Sequence, residues 1–302
     1  MSELKYHHVA VIMGGTSAER AVSLNSGNAV AQALEKVGYQ VTAIDADGEE
    51  LVIPDAVEAA FVVIHGAYGE DGVLQAELEA LGIPYTGTRG SNMPLSYDKI
   101  VTKRLLVEHG LPTAPFEVLK AGESRTLPLP VVVKAPQQGS TIGLHLVFEE
   151  KDWSHAFEDV LKYGEECLVE QFIPGRELTA GVLNGESLPV VEIQPAEGFY
   201  DYDAKYVAGD TGYVCPAKLP GDVTLEVQRL AEKCFEILGA EHLGRVDFRL
   251  NSDGELFILE LNAIPGFTAS SLLPKAAAAK GIDFENLCRL IMEMAYSQGQ
   301  ET

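Results

Sequence analysis

The amino-acid sequence predicts a mixed α/β and α+β protein of three domains, the first of which contains a parallel sheet. Two observations support this prediction. Near the start of the chain, apolar strand segments alternate with amphipathic helices, as in parallel sheets with crossover helices. Further along, strands occur in pairs joined by short turns, which is typical of antiparallel hairpins. A chain of 302 residues is long enough for two or three hydrophobic cores.

The first predicted domain spans residues 1–90 and alternates strands with helices. Strands are predicted over "HHVAVIMGG", "YQVTAIDAD", "AAFVVIHGAYGEDG" and the short "IPYTG". Helices are predicted over "SAERAVSLNSGNAVAQALEKVG", which ends at Gly38, and over "VLQAELEALG". Because helices join successive strands, the strands should run parallel.

The second predicted domain spans residues 91–173 and reads as a compact α+β unit. A helix is predicted over "SYDKIVTKRLLVEHG" and another over "DWSHAFEDVLKYG". Between them, "LPVVVKAPQQGSTIGLHLVF" predicts two strands joined by a glycine loop, and "ECLVEQFI" predicts a further strand.

The third predicted domain spans residues 174–302 and is rich in sheet. One hairpin turns at Asn184-Gly185, a dipeptide that favours tight turns. A polar stretch over 197–215 shows no clear periodicity. A helix follows, then the hairpin "GRVDFRLNSDGELFILELN", and "SLLPKAAAAKGIDFENLCRLIMEMAYSQ" is predicted as helix.

The composition excludes several classes of protein. Hydrophobic residues are 46% and charged residues 22% of the chain, as in ordinary globular proteins. No apolar run reaches the roughly 18 residues of a membrane helix, and the N-terminus does not resemble a signal peptide. A net charge of −23, from 22 basic and 45 acidic residues, argues against a nucleic-acid partner. Four scattered cysteines indicate free thiols in a reducing compartment.

The late hairpin carries polar side chains within apolar strands. A two- or four-residue loop would set Arg245 opposite Glu260 and Asp247 opposite Ile258, so that Asp247 lies diagonal to Glu260. These polar residues and Asn262 would then share one face, where the oxygen donors suit Mg²⁺. The alternative is a surface ladder of arginine and acids. The apolar residues between them favour the metal site, because they would bury the other face and fix the register.

Two lysines and a glycine loop predict phosphate binding. Lys134 ends an apolar strand, and the loop from Gln137 to Gly143 is rich in hydrogen-bond donors that could cradle phosphate. The loop matches neither a P-loop nor a dinucleotide fingerprint. Lys99 lies on a helix entering the same unit, although a solvated lysine is the ordinary interpretation of either residue.

Together these motifs resemble the ATP-grasp superfamily and, within it, the D-alanine–D-alanine ligase family. The resemblance covers nearly the whole chain, and its motifs occur in the family's order. The matching stretches are "GGTSAER", "HGAYGEDG", "YTGT", "SYDK", "VVVKAPQQGSTIG", "FYDYDAKY", "GRVDF", "LELNAIPGFT" and "SLLPKAA".

The resemblance implies a three-domain ATP-grasp fold with ATP between the central and C-terminal domains. Two Mg²⁺ ions, with Mn²⁺ possible, would be held by Asp247, Glu260 and Asn262. The residues implied to bind the nucleotide are Lys99, Lys134, Ser140, Glu170, Gln171, Phe172, Ile173, Glu177, Phe199 and Lys205. Residues 197–215 would form a lid that excludes water from the reaction.

The resemblance also implies a set of residues for the amino-acid substrates. Glu19 and His65 would bind the first D-alanine, and Ser140 and Tyr206 would form hydrogen bonds with Glu19. Arg245 and the Gly266 N–H would form an oxyanion site, and Ser271 with Leu272 would receive the second carboxylate. The residues alone explain Glu19 as an acid that favours a helix N-terminus, and Tyr206 as an aromatic residue that anchors a loop.

The implied activity is ATP-dependent joining of two D-alanines, through an acyl phosphate, for peptidoglycan precursors. The resemblance further implies a cytoplasmic homodimer that binds no nucleic acid or membrane. Two alternatives are a ligase for other amino acids or hydroxy acids, and a nucleotide-binding protein without catalysis.

The chain departs from the usual family pattern at a few positions near the expected site. Departures that bear on nucleotide affinity or substrate tolerance are Ala135 between Lys134 and Pro136, Thr141 in the glycine loop, Tyr97 in place of Met, and Ile264 and Phe267 beside Gly266. Tyr206, where relatives that use D-lactate tend to have His, favours an amine acceptor.

Overall fold

A computed structural model describes residues 4–48, 51–140, 142–194 and 211–295. Within these ranges the chain forms three sheets, one from each predicted domain. The three-domain division itself, with boundaries near residues 90 and 173, stays a prediction. No helix within the described ranges has both the length and the apolar character to cross a bilayer.

The first sheet is parallel, as the alternation of strands and helices predicts. Its strands are β1 (His8–Gly14), β2 (Gln40–Ala46) and β3 (Ala59–Val62), in the order β2-β1-β3. Helices α1 (Arg20–Lys36) and α2 (Val73–Leu81) follow β1 and β3. The segment "IPYTG" forms only a single bridge, between Ala60 and Tyr85, and is therefore shorter than a strand.

The single helix predicted at residues 96–110 is wrong, because the structure has two. They are α3 (Met93–Tyr97) and α4 (Lys99–Glu108). Asp98 between them has extended backbone angles, and its carboxylate accepts hydrogen bonds from the N–H groups of Ile100 and Val101. An aspartate in this position starts a new helix, so it turns the chain just before Lys99.

The second sheet is antiparallel and has its own apolar core. Its strands are β4 (Phe116–Lys120), β5 (Val131–Lys134), β6 (Leu144–Val147) and β7 (Glu166–Gln171), in the order β4-β7-β5-β6. Helix α5 (Glu150–Val160) packs on β5 and β6. Strand β4 was not predicted, because prolines interrupt the segment before it.

The third sheet carries the two predicted hairpins. Its strands are β8 (Arg176–Leu183), β9 (Glu186–Ser187), β10 (Val191–Gln194), β11 (Gly212–Val214), β12 (Leu243–Leu250) and β13 (Leu256–Asn262). Their order is β11-β10-β8-β12-β13, with β9 paired to β8. Asn184 and Gly185 have φ of 52° and 79°, which confirms the tight turn.

Three helices accompany the third sheet. They are α6 (Gly221–Ile237), α7 (Leu272–Ala279) and α8 (Phe284–Met294). The terminal segment predicted as one helix is thus two helices. The break has a local cause, because Gly281 has φ of 88° and the Asp283 carboxylate accepts from the Asn286 N–H at the start of α8.

The predicted register of the late hairpin is wrong. Arg245 lies opposite Asn262 and Asp247 lies opposite Glu260, whereas Phe248 lies opposite Ile258. The connection is longer than predicted, because the Asn251 side chain accepts from the N–H groups of residues 253 and 255. A bulge in β13 then shifts the pairing by one more residue. Asp247 and Glu260 are therefore directly opposed in the pairing of β12 with β13.

The first and third sheets share apolar cores. Ile12 and Val62 of the first sheet belong to the same buried cluster as Ala180 and Val246 of the third. A second cluster likewise joins strands β1 and β3 to helices α7 and α8. The second sheet instead packs its own cluster of buried residues against α5. Residues on the first and third sheets are therefore held in a fixed relative position.

Candidate active site

A cavity of about 680 Å³ lies among residues of all three predicted domains. Most of the predicted site residues that the structure describes line it. These are Glu19, His65, Lys99, Lys134, Ser140, Glu177, Arg245, Asp247, Glu260, Asn262, Gly266, Ser271 and Leu272. The structure thus gathers, in one place, groups as far apart in the sequence as Glu19 and Leu272.

The Asp247 carboxylate accepts four hydrogen bonds from neighbouring side chains. The Arg245 guanidinium donates to both of its oxygens, at 2.9 and 2.8 Å. The Thr179 hydroxyl donates to Oδ1 at 2.6 Å, and the Asn262 amide donates to Oδ2 at 3.0 Å. Because Asp247 is only 7% exposed, these donors offset the cost of burying its charge. Thr179 was not predicted.

Glu260 faces a cation across the cavity. The Lys99 Nζ lies 3.5 Å from its Oε2 and donates to the Gln138 carbonyl oxygen at 2.8 Å. Lys99 follows directly after the Asp98 cap, so the break between α3 and α4 positions this lysine. The lysine links the α4 terminus, the glycine loop and β13.

The predicted metal site contains two carboxylates and one amide. Within the described ranges no cluster of three or more His, Cys, Asp and Glu side chains could hold a metal ion. The set formed by Asp247, Glu260 and Asn262 nevertheless consists of hard oxygen donors, and two of them are charged. Opposed carboxylates repel each other unless a cation lies between or beside them. The donor chemistry therefore fits a hard divalent ion.

Lys134 reaches the cavity from the end of β5, and its Nζ donates to Glu170 Oε2 at 2.8 Å. The Glu170 side chain points into the protein and is 2% exposed. Neither it nor the predicted adenine-binding residues Gln171, Phe172 and Ile173 line the cavity. Glu177 does line it, and Arg249 donates to both the Glu177 carboxylate and the Ile173 carbonyl oxygen, each at 3.0 Å.

Glu19 is held by the glycine loop. The Ser140 hydroxyl donates to the Glu19 carboxylate, which makes no cap hydrogen bond at the start of α1. Glu19 directly precedes the first residue of α1, so the interpretation as an acid that favours a helix N-terminus still holds, and the contact with Ser140 is additional to it. A Cβ at Gly139 would lie 2.6 Å from Glu19 Oε2, so this approach requires a glycine.

His65 is buried at the cavity wall, with 4% of its surface exposed. Burial lowers its pKa to about 4, while a hydrogen bond with the Ile264 backbone opposes the shift and the Arg245 charge adds to it. The imidazole is therefore neutral at pH 7. Its Nε2 has no hydrogen-bond partner among the residues that the structure describes.

Gly266, Ser271 and Leu272 form the end of the cavity nearest α7. Ser271 precedes the first residue of α7, and its hydroxyl oxygen accepts from the Thr268 N–H at 3.0 Å. Phe267, one of the departures from the family pattern, points away from the cavity and packs against the rings of Phe61 and Phe284. Its N–H donates to the Ser26 hydroxyl, which fixes the turn. Phe267 is thus a core residue.

Several other residues line the cavity. Among them are Asn25, Glu70 and Lys275, which were not singled out, and Gln138 and Tyr213, which belong to the predicted glycine loop and lid; Tyr97 was expected only as a departure from the family pattern. Burial raises the pKa of Glu70 to about 8, and the nearby Glu19 adds to this effect. Burial also raises the pKa of Tyr97 to about 12, with Glu70 contributing. The position of Glu70 in "HGAYGEDG", just after a strand, was the available signal.

Three predicted residues, Phe199, Lys205 and Tyr206, lie outside the described residues, as does most of the predicted lid. Thr141 of the glycine loop also lies outside them. The last part of the predicted lid forms β11, which pairs with β10 at the edge of the third sheet. Tyr213 on this strand lines the cavity.

Comparison with known proteins agrees with this geometry. The family models for the D-ala D-ala ligase N-terminus and C-terminus match residues 47–88 and 105–293. D-alanine–D-alanine ligases from Methylacidiphilum infernorum and Bordetella pertussis are 44% and 45% identical, over 96% of this chain and 95% and 96% of theirs.

Solved structures give the same result. A D-alanine–D-alanine ligase from Bacillus anthracis complexed with ATP superposes with a TM-score of 0.84 at 30% identity, and the match covers 95% of this chain and 97% of that one. The resemblance found in the sequence and the ATP-grasp fold are therefore confirmed. The chain belongs to the D-alanine–D-alanine ligase family.

Proposed function

We propose that this chain is an ATP-dependent ligase that joins two D-alanines and releases ADP and phosphate. The product, D-alanyl-D-alanine, would serve peptidoglycan precursor synthesis. One observation carries the proposal. A single cavity combines two lysines, an oxygen-rich hairpin and the Glu19 carboxylate, in a chain of this family. Such a cavity can bind a polyphosphate and an ammonium group side by side.

The chemistry requires an activated carboxyl group. An amine cannot displace oxide from a carboxylate, so a carboxylate oxygen of the first D-alanine attacks the γ-phosphorus of ATP and ADP leaves. The amine of the second D-alanine then attacks the carbonyl carbon of this acyl phosphate. The tetrahedral intermediate loses a proton from nitrogen and expels inorganic phosphate, which forms the peptide bond.

Glu19 and His65 are proposed to bind the first D-alanine. The Glu19 carboxylate lines the cavity and would pair with the substrate ammonium, while Ser140 fixes its orientation. His65 is neutral and buried, so it adds no positive charge that would repel the ammonium. Its unpaired Nε2 offers a hydrogen-bonding position near the same substrate.

Lys99 and Lys134 are proposed to bind the phosphates of ATP. Both line the cavity, and a lysine ammonium stabilises the charge of a transferring phosphoryl group mainly by its position and field. Asp247, Glu260 and Asn262 would hold two Mg²⁺ ions, or Mn²⁺, whose charge offsets that of the phosphates. The segment Glu170 to Ile173 would present its backbone to adenine, and Glu177 would bind the ribose.

The other end of the cavity is proposed to bind the second D-alanine. Arg245 and the Gly266 N–H would stabilise the negative oxygen of the tetrahedral intermediate. The backbone N–H groups at the start of α7, beside Ser271 and Leu272, would receive the carboxylate. Tyr206 would join Ser140 and Glu19, and Phe199 and Lys205 would contact the nucleotide from the lid over 197–215. The roles of these three residues remain predictions.

Phosphate release against a panel of substrates tests this proposal. Purified protein with ATP and Mg²⁺ should release phosphate with D-alanine, and mass spectrometry should detect the dipeptide. L-Alanine and D-lactate should give far less product. Phosphate release that is independent of D-alanine, or a main product from another amino acid, would contradict the proposed substrate.

The proposed setting is the cytoplasm, where ATP is available, and the proposed assembly is a homodimer. Both follow the family resemblance. Light scattering in solution would measure the mass against the 32.5 kDa of one chain.

A further inference from the structure

Lys103 is a buried lysine that does not line the cavity. It lies on α4, one turn after Lys99, and its side chain is fully inaccessible. Its Nζ donates to the Thr113 hydroxyl at 2.5 Å and lies 3.2 Å from Glu170 Oε1. A buried ammonium is costly, and nothing in the proposed reaction uses this one directly.

Lys103 and Lys134 share a single carboxylate. Glu170 Oε1 faces Lys103 and Oε2 faces Lys134, so each lysine takes one oxygen. Burial alone would raise the pKa of Glu170, but the two lysines together hold it below its ordinary value. Burial likewise lowers the pKa of Lys103, and the Glu170 charge opposes this shift. With all three groups ionised, two ammonium groups and one carboxylate leave a net positive charge at the cavity wall, where Lys134 is the member that lines the cavity.

The position of Lys103 is fixed from a third direction. Thr113, which accepts from Lys103, donates its own hydroxyl to the Ile258 carbonyl oxygen at 2.8 Å. Ile258 lies on β13, and its N–H donates to the Pro112 carbonyl oxygen at 2.8 Å. Through Thr113, the ammonium therefore connects β7, which carries Glu170, to the strand that carries Glu260 and Asn262. The Lys103 ammonium cannot move with Glu170 toward the cavity without breaking its hydrogen bond to Thr113.

We propose that Lys103 is a positioning residue that shares the Glu170 carboxylate and so leaves Lys134 with enough uncompensated charge to bind a phosphate of ATP. The inference rests on the proposed function, because it assumes that Lys134 contacts the nucleotide. Without Lys103, Glu170 would pair with Lys134 alone. The pair would then be neutral, and an incoming phosphate would compete with the full strength of a buried ion pair.

ADP binding, measured by calorimetry, tests the inference without requiring turnover. Lys103→Met keeps the length of the side chain and removes its charge, so ADP should bind roughly tenfold or more weakly. The double variant Lys103→Met with Glu170→Gln leaves Lys134 beside a neutral amide, and ADP affinity should recover to within about threefold of wild type. Lys103→Arg, which keeps the charge, should bind ADP more tightly than Lys103→Met.

A matched control is Lys120→Met, since Lys120 is exposed on β4 of the same sheet and should leave ADP binding unchanged. The KM for D-alanine should move little in Lys103→Met, whereas general loosening of the site would raise it as well. If Lys103→Met does not fold, ADP binding is measured in the double variant instead. In that case, ADP binding by the double variant that is more than about tenfold weaker than in wild type would overturn the inference.

The outcomes separate the two proposals. Wild-type protein that does not bind ADP contradicts the proposed function. Wild-type protein that binds ADP, with unchanged affinity in folded Lys103→Met, overturns only the role of Lys103. The role of Lys103 is also overturned if ADP binding is weakened in Lys103→Met and Glu170→Gln does not restore it. Sharing of the Glu170 carboxylate predicts that this second substitution restores ADP binding.

Discussion

Asp247 and Glu260 lie directly opposite each other on β12 and β13, although a two- or four-residue loop between these strands would place them diagonally. A bulge in β13 brings them together. The Asp247 carboxylate accepts hydrogen bonds from the side chains of Arg245, Thr179 and Asn262. Glu260 Oε2 instead lies 3.5 Å from the Lys99 Nζ. The two acids therefore differ in environment, and Glu260 is the more accessible to a ligand that brings its own charge.

Replacing Glu260 by Gln should impair turnover while preserving the fold. The amide keeps the shape of the side chain but removes one of two charged oxygen donors, so kcat should fall by roughly a hundredfold or more. Steady-state phosphate release measures this, and the Mg²⁺ dependence of ADP binding should weaken in parallel. Asp253→Asn, on the exposed loop of the same hairpin, is the matched control. Activity near wild type in Glu260→Gln would refute the site.

Replacing Lys134 by Ala should raise the KM for ATP and lower kcat, each by about tenfold. The ammonium stands at the cavity wall and is the closest cation to Glu170. Separate titrations of ATP and D-alanine distinguish the effects, and Lys120→Ala serves as the control. A change confined to the KM for D-alanine would show that Lys134 does not bind phosphate.

Replacing Gly139 by Ala should weaken binding of the first D-alanine. The new Cβ would lie 2.6 Å from Glu19 Oε2. The flexible end of Glu19 can move aside, so thermal stability should change little, but the carboxylate would leave its position beside Ser140. The KM for D-alanine should therefore rise by roughly tenfold.

The matched control for Gly139 is Gly164→Ala. Gly164 has extended backbone with φ of 168°, and among the described residues, apart from its chain neighbours, no heavy atom lies within 4 Å of the position that an alanine Cβ would take there. Kinetics of this variant should equal those of wild type. Equal kinetics in Gly139→Ala as well would show that the Glu19 position is not important for substrate binding.

His242 should make the protein less stable in acid. Burial lowers its pKa to about 4, and the charges of Lys5 and Arg89 add to the effect. Its Nδ1 accepts from the Gly87 N–H at 3.0 Å, which requires an unprotonated nitrogen. As pH decreases, His242 binds a proton at a higher pH in the unfolded state than in the folded state. The free energy of unfolding should therefore fall as pH decreases from about 6.5 to 4, by at most about 3 kcal/mol.

Urea denaturation at several pH values measures this effect. In His242→Asn the amide oxygen can replace Nδ1 as acceptor, and asparagine tolerates the φ of 60° at this position. The acid-induced loss should therefore be smaller in this variant than in wild type. His109→Asn, at an exposed helix end, should leave the loss unchanged. An identical pH profile in His242→Asn would contradict the assignment.

The sequence was most informative where periodicity and backbone chemistry act locally. The parallel strands around β1, the turn at Asn184-Gly185 and the shared face of Arg245 and Asp247 all follow from such patterns. The register of β12 and β13 did not, because the Asn251 side chain lengthens the loop and the bulge has no signature in residue type.

The directions of buried side chains could not be predicted from local sequence patterns either. Glu170 was expected beside the nucleotide, yet its carboxylate turns inward because two lysines from separate elements meet it there. Lys103 itself gave no signal, since a lysine on a helix is ordinarily solvated. For Glu19 the structure adds support to the prediction. Its position at the start of a helix did not by itself require a role in substrate binding, but its contact with Ser140 in the cavity supports that role.

The apolar clusters that join the first and third sheets have a mechanical consequence. Shearing these two layers apart would expose Ile12, Val62, Ala180 and Val246 to water. The second sheet, packed around Val131, has its own interior, so moving it would leave these two shared clusters covered. Lys134 belongs to this separately packed sheet, whereas Arg245 and Asp247 belong to the block formed by the first and third sheets.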